Sequence, residues 1–177
     1  MTDDPRRHLV LVGLMGAGKT TVGERCAQRL DRPFVDTDDL VQTLAGRPVA
    51  EVFATDGEAG FRALERHAVA DACASPVPLV IACGGGAVLD PDSRRRLHTA
   101  GFVVWLRARP DVLAGRVDAE DLERPLLAGG SLPTLERLAT TRAPVYETVA
   151  DATVATDDRT PDEVATVVLE ELARCAA

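Results

Sequence analysis

The sequence predicts a three-layer α/β fold, a parallel sheet with helices on both faces. Short apolar runs alternate with longer segments whose apolar residues recur at helical spacing. The short runs are apolar throughout and lack the in–out alternation of a sheet with one wet face. The length, 177 residues, suits one domain burying roughly 70% of the unfolded chain's surface. With no internal repeat, the expectation is a single domain over residues 1–177.

Residues 9–12 read as a buried strand, and 20–30 as a helix with Val22, Cys26, Ala27 and Leu30 on one face. A short strand over 33–35 precedes helices over 40–45, 49–54 and 61–74. A third strand, 79–82, is followed by Gly84-Gly85-Gly86. Asp90 or Asp92 caps a helix reaching His98, and 102–106 is the fourth strand. A helix begins over 111–117. The polar stretch 118–132, with Gly129-Gly130-Ser131, reads as a mobile loop. Residues 135–149 are helical, with Pro144 breaking the pattern, and 152–155 is the last strand. Pro161, in the first turn after Thr160, opens a helix to Arg174.

Hydrophobic residues make up 46% and charged residues 27%, which excludes disorder, collagen and coiled coil. No run approaches the roughly 18 apolar residues of a membrane span. A net charge of −8 argues against nucleic acid or an anionic membrane as partner, so a bound anion needs a local cluster of donors. Of 20 basic residues only Lys19 is a lysine, which marks a position suited to a compact ammonium rather than a planar guanidinium. Cys26, Cys73, Cys83 and Cys175 lack zinc-ligand spacing and read as thiols of a reducing cytosol. Arg6-Arg7 ahead of an apolar stretch has the look of a secretory leader, but Gly13 and Gly16 break that stretch and no good cleavage site follows. The expected location is the cytoplasm.

In parallel sheets ligands bind beyond the carboxyl ends of the strands. After the first strand comes Gly13-Leu14-Met15-Gly16-Ala17-Gly18-Lys19-Thr20, which fits the phosphate-binding loop G-x-x-x-x-G-K-[ST]. Its backbone N–H groups and the helix that follows favour phosphate, Lys19 reaches the outer phosphates, and the Thr20 hydroxyl suits magnesium. A GTPase-like switch needs N-K-x-D, which a chain whose one lysine is already used cannot hold. An ATPase module usually ends a strand in acidic residues, where this chain has glycines. A kinase of a small acceptor remains.

Asp36-Thr37-Asp38 follows the second strand, placing two carboxylates where one suits a magnesium-bound water and the other a hydroxyl proton; helix capping is the alternative. Arg62 and Glu65 share a helical face, a spacing that equally suits a surface ion pair. The triglycine 84–86 allows close approach of a ligand to backbone. Arg124 lies on the loop, placed to neutralise a moving phosphoryl group, and Arg142 has the reach for a bidentate contact with a carboxylate.

Gly13 to Thr21, Asp36-Thr37-Asp38, Gly57-Glu58 with Phe61-Arg62, Gly84 to Gly86, Arg124-Pro125-Leu126-Leu127 and Arg142-x-Pro144-x-Tyr146 together resemble the shikimate kinase family, in order and spacing, over about residues 9–172. The resemblance implies a P-loop kinase fold of the nucleoside-monophosphate-kinase type, with a five-stranded parallel sheet and a mobile lid at about 117–132. It implies ATP-dependent phosphorylation of the 3-hydroxyl of shikimate, toward chorismate and the aromatic amino acids, with Mg²⁺ and a monomeric enzyme. Carried over, Asp38 binds the acceptor hydroxyls as proposed base, and Lys19 and Arg124 act on the phosphates. Arg62 and Arg142 hold the acceptor carboxylate, while Gly84, Gly85 and Gly86 meet the ring hydroxyls. Gly16, Ala17, Gly18, Lys19, Thr20 and Thr21 bind the nucleotide, with Arg116, Arg159 and Pro161 bordering the adenine. Thr20 and Asp36 serve the metal. Asp118, Glu120, Asp121 and Glu123 make the lid acidic, which Arg116, Arg124 and magnesium must offset and which keeps an open lid solvated. The alternative acceptor is another small hydroxy acid such as gluconate.

Overall fold

The computed structural model describes residues 7–119 and 131–175. Among these, five parallel strands, β1 (His8–Val12), β2 (Phe34–Asp36), β3 (Val80–Ala82), β4 (Gly101–Arg107) and β5 (Ala152–Ala155), pair in the order β2-β3-β1-β4-β5. The helices are α1 (Lys19–Leu30), α2 (Thr37–Ala45), α3 (Val49–Cys73), α4 (Pro91–Ala100), α5 (Pro110–Ala119), α6 (Ser131–Val149) and α7 (Pro161–Cys175). The fully buried β1 pairs with β3 and β4, Leu9 opposite Val80 and Val10 opposite Val103. Burial on both faces explains why β1, β3 and β4 read as continuous apolar runs, while the edge strands β2 and β5 are only partly buried.

Each helix starts on a local signal. Asp36 caps α2 by accepting from the Asp38 N–H. Asp90, not Asp92, caps α4, accepting the Ser93 N–H at 2.8 Å with Pro91 in the first turn. At α7, the Thr160 N–H donates to the Glu163 carboxylate (2.8 Å) and the Glu163 N–H donates to the Thr160 hydroxyl (3.3 Å), a reciprocal capping box ahead of Pro161.

The two helices expected over 49–74 are present and meet within α3 at a kink, Gly57, whose φ of 68° and ψ of −173° only glycine adopts readily. Two expectations are corrected. Pro144 does not end α6, which runs through it to bury Leu138, Arg142 and Tyr146 on one face; that packing outweighs the backbone bond a mid-helix proline removes. The stretch read as a loop from 118 to 132 is helical at both ends, and the Ser131 hydroxyl donates to Asp118 at 2.9 Å. Residues 120–130, including Arg124 and most of the expected lid, lie outside the described residues.

The main core lies around the sheet. A smaller cluster of Val41, Val52, Phe61 and Ala68, with Phe53 stacked on Phe61 at 4.5 Å, joins α2 to α3. This second cluster supports the wall that carries Asp38 and Arg62.

His8, at the start of β1, is buried, and its Nδ1 accepts the Leu79 N–H at 3.0 Å. Burial, aided by Arg7 and Arg32, lowers its pKa below the ordinary 6.5. The unfolded chain therefore binds the proton more readily. Stability from this group is full above the unfolded value and falls as pH drops through the folded one. The urea midpoint is expected to fall between about pH 7.5 and 5.5 more in the parent than in His8→Asn; equal losses would clear His8 of the effect.

Candidate active site

The carboxyl ends of β1, β2 and β3 open onto a cleft of about 490 Å³. Its walls include Gly16, Gly18, Lys19, Thr20 and Thr21 from the phosphate loop and α1, Asp36 and Asp38 from the start of α2, and Arg62 and Glu65 from α3. Gly84, Gly85 and Gly86 after β3 and Arg142 from α6 complete it. The sheet order accounts for this convergence, since β3 lies between β1 and β2 and sets the triglycine beside both the phosphate loop and the carboxylates.

In the phosphate loop, Gly16 and Gly18 take left-handed φ values of 78° and 90°. The Lys19 ammonium donates across the loop to the Leu14 carbonyl at 2.9 Å. Ala17 is buried beneath the loop. α1 begins at Lys19, so its positive end faces the cleft. The Thr20 hydroxyl donates to Asp36 Oδ2 at 2.9 Å, while Asp36 Oδ1 accepts the Asp38 N–H at 2.9 Å. Asp36 thus caps α2 through one carboxylate oxygen and meets the Thr20 hydroxyl with the other. Among the described residues no three His, Cys, Asp or Glu side chains gather as a metal cage. A hydroxyl beside one carboxylate is a hard-oxygen pair of the kind magnesium uses when phosphates and water supply its other ligands.

On the wall formed by α3, Arg62 Nη1 donates to Glu65 Oε2 at 2.7 Å and Nη2 to Glu58 Oε1 at 3.3 Å. This is not a surface ion pair. The Glu65 side chain is 4% exposed and that of Arg62 19%. Burial pushes the Glu65 carboxyl up, with Arg62 and then Arg142 pulling it back, and its Oε1 has no hydrogen-bond partner among the described residues. Arg142 is also buried. Two guanidinium groups and two carboxylates, Glu65 and Asp38, therefore frame one space, suited to an anionic acceptor bearing hydroxyls.

Side chains at Gly84 and Gly86 would displace the charged groups of the cleft from where they now lie. A Cβ on Gly84 would lie 2.7 Å from Asp38 Oδ1 and 2.8 Å from Glu65 Oε1, and one on Gly86 would overlap the Arg62 guanidinium. Cys83, at the end of β3, lines the cleft but is fully buried, which raises its thiol well above the ordinary range and keeps it un-ionised.

Arg116, Arg159 and Pro161 are not among the lining residues of this cleft. Arg116 reaches the back of the phosphate loop, donating to the Gly16 carbonyl at 3.2 Å and to the Thr156 carbonyl at 2.7 Å. Arg159 donates to the Ala155 carbonyl at 2.7 Å, and Pro161 opens α7. These three border the β5–α7 connection on the other side of the loop. A separate, largely apolar cavity of about 390 Å³ behind the loop, lined by Leu14, Trp105 and Tyr146 among others, contains none of the residues expected to act.

Sequence reasoning missed the burial of Glu65 and any part for Thr37 or Tyr146. The Thr37 hydroxyl accepts the Gly84 N–H at 2.9 Å, and the Tyr146 hydroxyl donates to the Gly85 carbonyl at 2.6 Å. The available signals were a hydroxyl between two carboxylates and a lone tyrosine one helical turn after Arg142.

A family model described as shikimate kinase matches residues 15–173. The shikimate kinase of Symbiobacterium thermophilum is 48% identical over 167 residues, 93% of this chain and 95% of that protein. The structure of shikimate kinase from Acinetobacter baumannii in complex with shikimate superposes with a TM-score of 0.91 at 32% identity, covering 97% of this chain and 96% of that one. A gluconokinase from Sinorhizobium meliloti covers 98% of this chain and 94% of its own, at a TM-score of only 0.58 and 25% identity. The family match takes in the phosphate loop from Met15 onward, the paired aspartates, the triglycine, Arg62 and Arg142, and the chain belongs to the shikimate kinase family.

Proposed function

We propose that this chain transfers the γ-phosphoryl group of ATP to the 3-hydroxyl of shikimate, giving 3-phosphoshikimate and ADP on the way to chorismate. The observation that carries this is the meeting, in one cleft, of a phosphate-binding loop with two arginines, Asp38 and a triglycine turn. Shikimate is a carboxylate with ring hydroxyls, and the cleft offers a complement to each. Arg62 and Arg142 hold the carboxylate, and the triglycine backbone meets the ring oxygens. Asp38 accepts a hydrogen bond from the attacking hydroxyl and aims it at the phosphate tail held by residues 16–21.

Phosphoryl transfer passes through a loose transition state, so positioning and charge neutralisation dominate. Lys19 neutralises the phosphate tail. Asp38 orients the hydroxyl through most of the reaction and takes its proton late. Thr20 and Asp36 would hold Mg²⁺, which would supply positive charge to offset the phosphate tail. Arg124 acts on the same phosphates, and Arg116, Arg159 and Pro161 border the adenine; Arg116 already ties the phosphate loop to Thr156. The enzyme works in the cytoplasm as a monomer. No helix among the described residues is long and apolar enough to cross a membrane.

The test is ADP release with Mg-ATP and, in turn, shikimate, gluconate and a nucleoside monophosphate. Shikimate is expected to support turnover and the other two to give background. Turnover with gluconate alone would replace the acceptor.

A further inference from the structure

The triglycine turn is held at two points, by Thr37 between the two aspartates and by Tyr146 of α6, one helical turn after Arg142. Each of its three carbonyls is occupied. Gly84 O accepts from the Ala87 N–H (3.0 Å), Gly86 O from the Leu89 N–H (2.9 Å), and Gly85 O from the Tyr146 hydroxyl (2.6 Å). The Gly84 N–H is taken by the Thr37 hydroxyl at 2.9 Å. The Gly85 and Gly86 N–H groups have no hydrogen-bond partner among the described residues.

A trans peptide is planar, with its C=O and N–H pointing in opposite directions. Drawing the Gly85 carbonyl toward Tyr146 therefore turns the Gly86 N–H the other way. Tyr146 lies behind the turn, in the wall of the second cavity, whereas Gly85 and Gly86 line the cleft. Tyr146 is itself fixed: it is 1% exposed and its ring stacks on Trp105 at 5.5 Å. Burial pushes its phenol up to about 12, so it stays a neutral donor. Thr37 is fully buried and opens the helix that carries Asp38. The two ties thus link the turn to α2 with Asp38 on one side and to α6 with Arg142 on the other.

We propose that Thr37 and Tyr146 are positioning residues that set the peptide planes of the triglycine turn, so that Gly85 and Gly86 present two N–H donors to acceptor oxygens in register with Asp38 and Arg142. This rests on the acceptor lying against the turn, as proposed above.

Steady-state kinetics of Tyr146→Phe, Thr37→Val and Thr37→Ser test it. Phe keeps the ring and its stacking, Val keeps the shape of Thr, and Ser keeps the hydroxyl. Tyr146→Phe and Thr37→Val are expected to raise the shikimate KM about five- to tenfold, the scale of one lost hydrogen bond, with the ATP KM within about twofold of the parent. Thr37→Ser is expected to return the shikimate KM to the parent value even if its melting temperature stays lowered, which a merely structural role would not allow. An unchanged shikimate KM in both Tyr146→Phe and Thr37→Val, or a parallel rise in both KM values, overturns the proposal. Arg62→Ala separates the two levels. If it raises the shikimate KM selectively while the tether variants do not, only the tether is wrong. If it is unselective, the acceptor lies elsewhere.

Discussion

Asp38→Asn is expected to lower kcat about 10²- to 10⁴-fold, the range for loss of a positioned general base, while ATP binding by titration stays at the parent value. Asn occupies the same volume and keeps one acceptor oxygen, so the substitution removes the charge and the proton-accepting capacity with little steric change. The backbone at this position is held independently of its side chain, because the Asp38 N–H donates to Asp36 Oδ1. The phosphate loop, Lys19 and the Thr20–Asp36 contact are untouched, which is why nucleotide affinity survives. In a loose transition state the nucleophile's proton leaves late, so single-turnover rates place the loss in the chemical step. A kcat within about threefold of the parent, well short of that range, would remove Asp38 from the mechanism.

Arg62→Ala is expected to raise the shikimate KM about 10²-fold, since a forked contact to a carboxylate supplies two charge-assisted hydrogen bonds, and to leave the ATP KM within about twofold. Equal losses for both substrates would mean that the acceptor pocket is misplaced. A second consequence concerns stability. Glu65 is buried and its carboxyl is already pushed up by desolvation, with Arg62 its first counterweight. A raised folded-state pKa means that stability is present below the unfolded value near 4.5 and is lost as pH rises through the folded one. Without Arg62 the folded value climbs further. The drop in melting temperature of Arg62→Ala is therefore expected to be larger near pH 8 than near pH 5. Adding Glu65→Gln should recover stability at the higher pH without recovering shikimate affinity, separating the buried charge from the acceptor contact. A penalty independent of pH would show that Glu65 is not the source of the instability.

The parts legible in the sequence are those whose information is local. The phosphate loop is contiguous, and its chemistry follows from glycines between a strand and a helix and from a lysine that stands alone among arginines. The parallel sheet was legible because burial on both faces leaves the three central strands, β3, β1 and β4, apolar almost throughout. Candidate groups after β2 and β3 could be chosen because, in such sheets, residues leaving the carboxyl ends face the ligand. Cap positions were readable from Asp36, Asp90 and Thr160, although choosing Asp90 over Asp92 needed the observed Ser93 contact.

What only the tertiary structure decided depends on strand order and on packing between distant segments. No local pattern states that β3 enters between β1 and β2, yet that insertion brings Gly84–Gly86 to Thr37, 47 residues away in sequence, and to Tyr146, 61 away. The same long-range packing turns Arg62 and Glu65 from a plausible surface pair into a buried one, and carries α6 through Pro144 because burying Arg142 and Tyr146 is worth more than one backbone bond. Residue type and spacing determined which chemical groups this chain possesses. The free energy of packing, which depends on neighbours far apart along the chain, determined which of them meet and which face away from water.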